Sequence, residues 1–349
     1  MIGDITVEEA LSLEQPLFVD VRSPSEYKEA TIPGAVNIPF FYDAERAEIG
    51  RIYREESPCR ARERGLEMVA PRLPQLVNEV ERLCELGQVV LFCWRGGERS
   101  QALASVLQLM RVPCYRLDGG YRAYRRHVVQ QLELLPRGEV VVLHGLTGCG
   151  KTELIKGLRE RGYASVDLEG LACHRGSVFG GMGMGEQPGQ KMFDSRLWQE
   201  LKMLESYPYL VVECESRRIG RVYLPSHLFS KMSQGRHILV YDSLENRINR
   251  LVREYVVGDT ETVVQELKQG LDALERFIGS KRVKYLMDEL EKRDFEKVVE
   301  YLLLNYYDSL YRYPSGPDSR FELCVSAGDL GQAITEVGEY LERQYDAKG

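Results

Sequence analysis

Eight residues, Gly145-Leu146-Thr147-Gly148-Cys149-Gly150-Lys151-Thr152, constrain this chain more than any other feature. They follow an apolar run, Val140 to His144, and lead into Leu154, Ile155 and Leu158 at helical spacing. Gly-x4-Gly-Lys-Thr in that context predicts a strand, a phosphate-wrapping P-loop and a helix, in that order. The glycines let backbone N–H groups face an anion, Lys151 reaches an outer phosphate, and Thr152 is placed to hold Mg²⁺. Such a cradle recognises polyphosphate geometry, so a nucleotide and a non-nucleotide diphosphate both remain open. A strand feeding a helix commits this half to a parallel sheet flanked by helices. The strand Glu139 to His144 is joined by apolar runs at Ala164 to Leu168, Tyr209 to Glu213 and Ile238 to Tyr241. Metal-assisted hydrolysis needs a strand-end acid, for which Glu213 is the better placed and Asp242 the weaker; a merely solvated strand end fits either.

At 349 residues the chain exceeds what one hydrophobic core usually organises, so two domains are expected. The breaker Leu135-Pro136-Arg137-Gly138 divides residues 1–135 from 136–349. The first part alternates strands (Leu17 to Val21, Val36 to Ile38, Val89 to Cys93, Cys114 to Leu117) with helices, again an α/β pattern with a parallel sheet. Ser23-Pro24-Ser25-Glu26 reads as a helix start with its capping box. Residues 41–86 form a helical insertion interrupted near Ser57-Pro58 and by Pro71 and Pro74. Ala102, Leu103, Val106, Leu107 and Met110 mark the apolar face of a later helix. In the second part Gly180 to Gly189 reads as a mobile loop, and about 259–313 as a helical extension.

Composition excludes several classes. With 44% apolar and 28% charged residues the chain is globular, not disordered. No apolar run reaches the ~18 residues of a membrane span, and Met1-Ile2-Gly3-Asp4 lacks a basic signal region. Eight scattered cysteines without a CxxC pair fit reduced thiols in a cytoplasm, against a disulfide framework or zinc ribbon, and no metal centre is expected. Cys84, Cys114, Cys214 and Cys324 read as packed structural residues, and Cys59 as exposed without a role.

One cysteine stands apart. Cys93-Trp94-Arg95-Gly96-Gly97-Glu98-Arg99-Ser100 lies between a strand end and a helix start. Turn N–H groups and a helix N-terminus make an anion cradle there, and the same field favours a thiolate at Cys93. Arg99 adds a charged donor for oxyanions. The expectation is a nucleophile facing a phosphate-like or sulfur-transfer group.

These residues carry a resemblance. Val19-Asp20-Val21-Arg22-Ser23-Pro24-Ser25-Glu26-Tyr27, Ile32-Pro33-Gly34-Ala35-Val36-Asn37-Ile38-Pro39, the Cys93 loop and Leu117-Asp118-Gly119-Gly120-Tyr121 resemble a rhodanese domain over roughly residues 4–130. Thr31 stands where many rhodaneses have histidine. The Cys-x5-Arg-Ser spacing is one residue longer than the common sulfurtransferase loop and resembles Cys-dependent phosphatases as well; a longer loop admits phosphate or selenophosphate. In the second half Asp167 to Gly180, Glu186 to Asp194, Val212 to Gly220 and Tyr223-Leu224-Pro225 are equally distinctive, with Asp194 where Glu is expected. A rhodanese half joined to this P-loop NTPase-like half is similar to the tRNA 2-selenouridine synthase family, whose insertion Ala44 to Tyr53 also resembles.

The resemblance implies a transferase. Its substrate is wobble-position 2-thiouridine in a tRNA anticodon loop, alkylated by geranyl diphosphate and then converted to 2-selenouridine by selenophosphate. It implies Cys93 as catalytic cysteine, with Arg95, Gly96, Gly97 and Arg99 as its anion loop. Gly145, Thr147, Gly148, Gly150, Lys151 and Thr152 would hold the prenyl diphosphate or a nucleotide, with Glu169, His174, Arg175, Ser177, Glu213 and Arg217 alongside. Met182 and Met184 suit either a prenyl lining or a plain mobile loop. The selenophosphate-producing enzyme is a conceivable partner; a membrane is not. A Cys-dependent phosphatase or sulfurtransferase fused to an NTPase is the alternative.

Flipped-base chemistry calls for arginines and aromatics. Three strips qualify: Tyr121-Arg122-Ala123-Tyr124-Arg125-Arg126-His127; Arg51, Arg54, Arg60, Arg62 and Arg64; and Tyr306, Tyr307, Tyr311, Arg312 and Tyr313. Taken as an average, the net charge of −7 argues against RNA. Yet 17 of the 18 basic residues in 1–137 are arginine, the side chain suited to phosphate forks and base stacking. The composition therefore predicts RNA held on narrow arginine strips.

Overall fold

The computed structural model describes residues 2–311 and 313–345. The chain divides into two compact units, Met1–Gln131 with Asp194–Arg196, and Leu132–Phe193 with Leu197–Gly349. Each carries a five-stranded sheet in which every pairing is parallel.

In the first unit β1 (Ile2–Ile5), β2 (Pro16–Asp20), β3 (Val36–Asn37), β4 (Gln88–Phe92) and β5 (Cys114–Leu117) are ordered β1-β5-β4-β2-β3. Central β4 is buried on both faces, as its run Val89-Val90-Leu91-Phe92 requires. Each such side chain contributes roughly 1.5–3 kcal/mol by burial. The edge strand β1 gives no apolar signal; Asp4 is instead tied across to Arg116 of β5 at 2.5–2.7 Å. The insertion forms three helices, Asp43–Glu55, Pro58–Val69 and Leu73–Cys84. Pro58 and Pro74 fall in the first turns of the second and third, and Pro71 in the 3₁₀ turn Ala70–Arg72 between them, where a missing N–H costs nothing, so they start helical turns rather than breaking one. In the helix Glu98–Leu109 the buried stripe is Ser100, Leu103, Ala104 and Leu107. Ala102 and Met110, expected on that face, are exposed: Ala102 lies off the buried stripe and lines the groove beside Cys93, and the helix ends before Met110.

The second unit orders β6 (Glu139–His144), β7 (Ser165–Val166), β8 (Tyr209–Glu213), β11 (Arg236–Tyr241) and β12 (Leu323–Ser326) as β12-β11-β6-β8-β7; β9 (Arg218–Ile219) and β10 (Val222–Tyr223) form a separate hairpin. The run expected as a strand through Leu168 stops early. Asp167 accepts from the Gly170 N–H at 2.7 Å and caps a short helix, Leu168–Ala172. The helix Lys151–Glu160 packs on the C-terminal helix Leu330–Tyr345, and a Cβ on Gly157 would lie 2.3 Å from Ile334. Helices Thr260–Ile278, Ser280–Glu291, Phe295–Leu302 and Asp308–Tyr311 make up the helical extension.

Gly180 to Gly189, expected as a mobile loop, is anchored at its start. Phe179 and Met182 are buried with Leu271 and Leu274 in the core of the helical extension. Phe179 reaches it because Gly270 has no Cβ; one there would lie 2.1 Å from the ring.

Candidate active sites

The Cys93 loop is shaped by backbone contacts. After β4, Gly96 takes φ +65° and Gly97 caps the helix Glu98–Leu109. Tyr121 and Arg122 donate their N–H groups to the carbonyls of Cys93 and Trp94 at 2.8 and 3.0 Å. A Cβ on Gly120 would lie 2.3 Å from the Cys93 carbonyl oxygen, so the Gly119-Gly120 pair lets this turn seat against the loop. Beneath it Arg22, itself buried, is held by Asp20 at 2.6 Å and stacks over Tyr121 at 4.3 Å. Thr31, the departure from the rhodanese pattern, donates to Asp20 at 2.8 Å and belongs to this buried network.

Burial alone would push the Cys93 thiol up. The Ser100 hydroxyl, 3.3 Å from Sγ, and the Ser100 N–H, Arg99 charge and Arg95 N–H outweigh it, leaving the pKa below the ordinary thiol value. Arg99 is gripped by Glu26 through both terminal nitrogens, at 2.5 and 3.1 Å. Arg95 is exposed, and with Arg46, Arg54, Arg62 and Arg99 it lines a groove of about 1130 Å³ running from Cys93 along the helical insertion. The same hydroxyl lies 3.2 Å from the Gly97 carbonyl and can turn from it to a thiolate, so removing it takes a donor from the thiolate and none from the thiol. Ser100→Ala is therefore expected to raise the Cys93 pKa and slow its alkylation by iodoacetamide several-fold at pH 7, with the full rate recovered at high pH. An unchanged pH–rate curve would remove Ser100 from the site.

In the second unit the P-loop follows β6 as expected. Gly145, Gly148 and Gly150 have φ of +153°, +77° and +88°, and a Cβ on Gly145 would lie 2.2 Å from the Val240 carbonyl of β11. Lys151 Nζ is anchored on the carbonyls of Gly145 and Leu146 at 3.0 and 3.3 Å. Burial alone would lower its pKa, but Cys149, Glu169 and Glu215 outweigh it and keep the ammonium charged. Two arginines of the helix Leu244–Tyr255 brace the loop from outside: Arg247 donates to the Thr147 carbonyl at 2.9 Å and Arg250 to the Gly148 carbonyl at 2.6 Å. Asp308 and Asp242 hold them in turn, so Asp242 serves the brace. Arg247 and Arg250 are missing from the sequence reading; their only signal is an i, i+3 arginine pair on an amphipathic helix.

Gly145, Thr147, Gly148, Gly150, Lys151, Thr152, Glu169, Arg175 and Ser177 all line one cavity of about 690 Å³. Glu169 accepts from the Thr152 hydroxyl at 3.2 Å and is hydrogen-bonded to Glu215, which the sequence reading missed although it lies two residues beyond the strand-end acid. Burial and the Glu169 charge push Glu215 up to about 8. Glu213, fully buried, stands behind the wall, with Oε1 accepting the Glu169 N–H at 2.8 Å; burial first, then Asp167 and Glu169, hold its carboxyl well above the carboxylate range. Cys214, expected to be bland, lines the cavity with its Sγ 3.3 Å from the Tyr313 hydroxyl.

Besides Glu213, two expected members lie outside that lining. His174 packs against Gly180 and Gly220, and its Nδ1 accepts the Gly176 N–H at 3.0 Å, so it shapes the loop that carries Arg175 and Ser177. Arg217 is exposed and donates to Ser226 at 3.0 Å. A narrow apolar slot of about 60 Å³ adjoins the phosphate cavity, sharing Thr147, Ser177, Leu251 and Tyr255 with it and continuing between Phe295, Leu302 and Leu303. Met182 is in the neighbouring core and does not line the slot.

The arginine–aromatic strips are rearranged by packing. Tyr121 and Tyr124 are buried, since a helix turns them with Val128 onto one face; Arg122 and Arg126 are exposed. Arg51, Arg60, Arg62 and Arg64 pair with Glu55, Glu63, Glu98 and Glu48 at 2.8–3.2 Å, which neutralises most of the second strip. In the third, Tyr307 is buried, Tyr311 and Tyr313 line the phosphate cavity, and Arg312 lies outside the described residues.

Comparison with known proteins covers both units. A family model described as tRNA 2-selenouridine synthase AAA domain matches residues 138–345, and a rhodanese-like domain model matches 6–127. A tRNA 2-selenouridine synthase of Pseudomonas syringae pv. syringae (strain B728a) is 32% identical over 96% of this chain and 98% of its own length. One from Salmonella agona (strain SL483) is 32% identical over 87% and 90%. A third, from Nitrosomonas europaea, is 30% identical over 89% and 91%.

Proposed function

The chain belongs to the tRNA 2-selenouridine synthase family, and from that premise we propose that it replaces the sulfur of wobble 2-thiouridine with selenium in two steps at two centres. Geranyl diphosphate binds at the P-loop cavity and alkylates the sulfur; selenophosphate, held at the Cys93 loop, then delivers selenium to C2. Alkylation turns a poor leaving group into a neutral thiol, which explains why a prenyl donor precedes the exchange.

The observation that carries the first step is the shared wall of the phosphate cavity and the apolar slot. A ligand seated there has a charged phosphate end and a hydrocarbon end, which supports a prenyl diphosphate over a nucleotide with its polar ribose. The slot, at about 60 Å³, is smaller than a ten-carbon tail, so this reading requires Phe295, Leu302 and Leu303 to turn aside on binding. Lys151 and the P-loop N–H groups hold the diphosphate and stabilise its departing charge. A divalent ion on the diphosphate would sit on the Thr152 hydroxyl; the donors there are oxygens, which suit a hard ion, and it would neutralise leaving-group charge. For the second step the support is a thiol lowered by Ser100 and Arg99 in a groove lined by arginines.

The test is mass analysis of tRNA nucleosides after incubation with geranyl diphosphate and selenophosphate. The S-geranyl nucleoside is expected when selenophosphate is withheld, and 2-selenouridine when both are supplied. Unaltered 2-thiouridine, with turnover of an aryl phosphate or of thiosulfate and cyanide instead, would sink the proposal in favour of a phosphatase or sulfurtransferase.

A further inference from the structure

We propose that Cys93 works on phosphorus: its thiolate accepts the phosphoryl group of selenophosphate, so that the P–Se bond breaks with its electron pair on selenium, and the cysteine never carries selenium. This rests on the assignment of selenophosphate to the Cys93 loop, and it specifies what the loop does there.

The first argument is electron balance. Selenophosphate holds phosphorus(V) and selenium in the selenide state. If the thiolate attacked selenium, phosphorus would leave with the bonding pair, as phosphite, reduced by two electrons. Attack on phosphorus forms S–P and breaks P–Se, and no atom changes oxidation state. Water then attacks phosphorus, the S–P bond breaks with its pair on sulfur, and orthophosphate leaves as the thiolate returns. Selenium departs either as hydroselenide, which then attacks C2 as the C2–S bond breaks and the geranyl thiolate leaves, or from a base whose C2 already bears the Se–phosphoryl group, the selenium of selenophosphate having displaced the geranyl thiolate there. In the second case the freed selenolate takes a proton from water at N3. Both routes share the same step at Cys93.

The second argument is geometry. The Arg95 and Ser100 N–H groups and the Ser100 hydroxyl converge on Sγ, and Gly96 at φ +65° is what turns the loop around that point. A phosphoryl group on sulfur would bring its oxygens into this cradle. Glu26 fixes the Arg99 guanidinium through two nitrogens, so that a cation of set orientation stands beside the loop. The Ser100 hydroxyl donates to the sulfur both as nucleophile and as leaving group in the hydrolysis. Selenide is a weak base and leaves without a general acid; none of the five His in the chain lies in this loop or among the residues lining its groove. Carrying selenium to a second thiol would need another cysteine in the groove, and Cys93 is the only cysteine among its described lining residues.

The experiment uses the full-length protein, tRNA, geranyl diphosphate and selenophosphate. Quenched samples are digested and the Cys93 peptide is weighed, while the released phosphorus is read by ³¹P NMR. A phosphate adduct on Cys93 and orthophosphate in solution are expected. Ser100→Ala is expected to slow the hydrolysis about ten- to a hundredfold and so accumulate the adduct, since the departing thiolate loses a hydrogen bond. Omitting tRNA separates the routes: an adduct formed without it means free selenophosphate is cleaved, and one that needs S-geranylated tRNA means the Se–phosphoryl base is. Selenium on Cys93, phosphite in solution, or 2-selenouridine formed with no phosphate adduct in either protein overturns the proposal. Failure of the underlying assignment looks different: no 2-selenouridine forms from the wild-type protein under any of these conditions, and the proposal falls with it.

Discussion

Cys93→Ser is expected to abolish 2-selenouridine while leaving the S-geranyl nucleoside to accumulate. Serine keeps the shape of the loop but has a far weaker nucleophile at neutral pH. The groups that lower the Cys93 thiol, the Ser100 hydroxyl and the Arg99 charge, do too little to ionise an alcohol. Loss of the single nucleophile in such a loop costs on the order of 10³-fold or more in turnover. If prenyl transfer takes place in the P-loop cavity, as proposed, its rate should stay near that of the unaltered protein, because that cavity is lined wholly by residues from Gly145 onward. The check is a time course of both nucleosides from one 2-thiouridine tRNA. Selenation within tenfold of wild type would show that Cys93 is not the nucleophile, and loss of both products would show that the steps are not separable.

The parts of this protein that are legible in its sequence are those that short stretches of backbone dictate. The P-loop and the Cys93 loop each consist of glycines, a strand before and a helix after, within about a dozen residues, and both fold as that order predicts. The buried β4 and β6 announce themselves as unbroken apolar runs. Edge strands do not: β1 is half polar and pairs through Asp4 and Arg116, and β12 has one fully buried residue, Val325. Long-range partners are equally silent. Nothing near Arg247 or Arg250 says that they brace a loop about a hundred residues earlier. Nor does anything near Glu26 say that it will grip Arg99, because its local role as a capping residue already accounts for it.

The same distinction explains the misreadings. Tyr121 and Tyr124 look like an RNA-stacking strip until helical periodicity turns both inward, where Tyr121 serves as the platform for buried Arg22. Four arginines of the insertion look like a cationic stripe until their glutamates are placed beside them. Such exposed pairs contribute little to stability, but they remove most of the local field that composition suggested. Arg54 and Arg95, exposed and lining the groove beside Cys93, are left as the arginines best able to meet a phosphate there.

Lys151→Ala should produce the converse of Cys93→Ser. The ammonium is the only lysine or arginine side chain of the P-loop itself, and Glu169 and Glu215 help to keep it protonated in spite of burial. In the proposed first step the C1–O bond of the prenyl donor breaks, and the diphosphate would gain negative charge at the place that Lys151 serves. Removing a preorganised charge of this kind costs on the order of 10²–10³-fold in rate. The two carboxyls left behind, already raised by burial, would lose the cation that favours their ionised forms and shift further toward the neutral acid. Prenylation of 2-thiouridine tRNA should therefore fall by about that factor, and 2-selenouridine with it. Supplying tRNA that already carries S-geranyl-2-thiouridine should restore selenation to near the wild-type rate if, as proposed, that step is carried out at the Cys93 loop. Lys151→Arg is a sharper probe: it keeps the charge but cannot fold onto the Gly145 and Leu146 carbonyls at 3.0 and 3.3 Å, so partial activity is expected. If the pre-alkylated tRNA fails to rescue Lys151→Ala, the P-loop has a part in the second step, and the division of labour between the two centres is wrong.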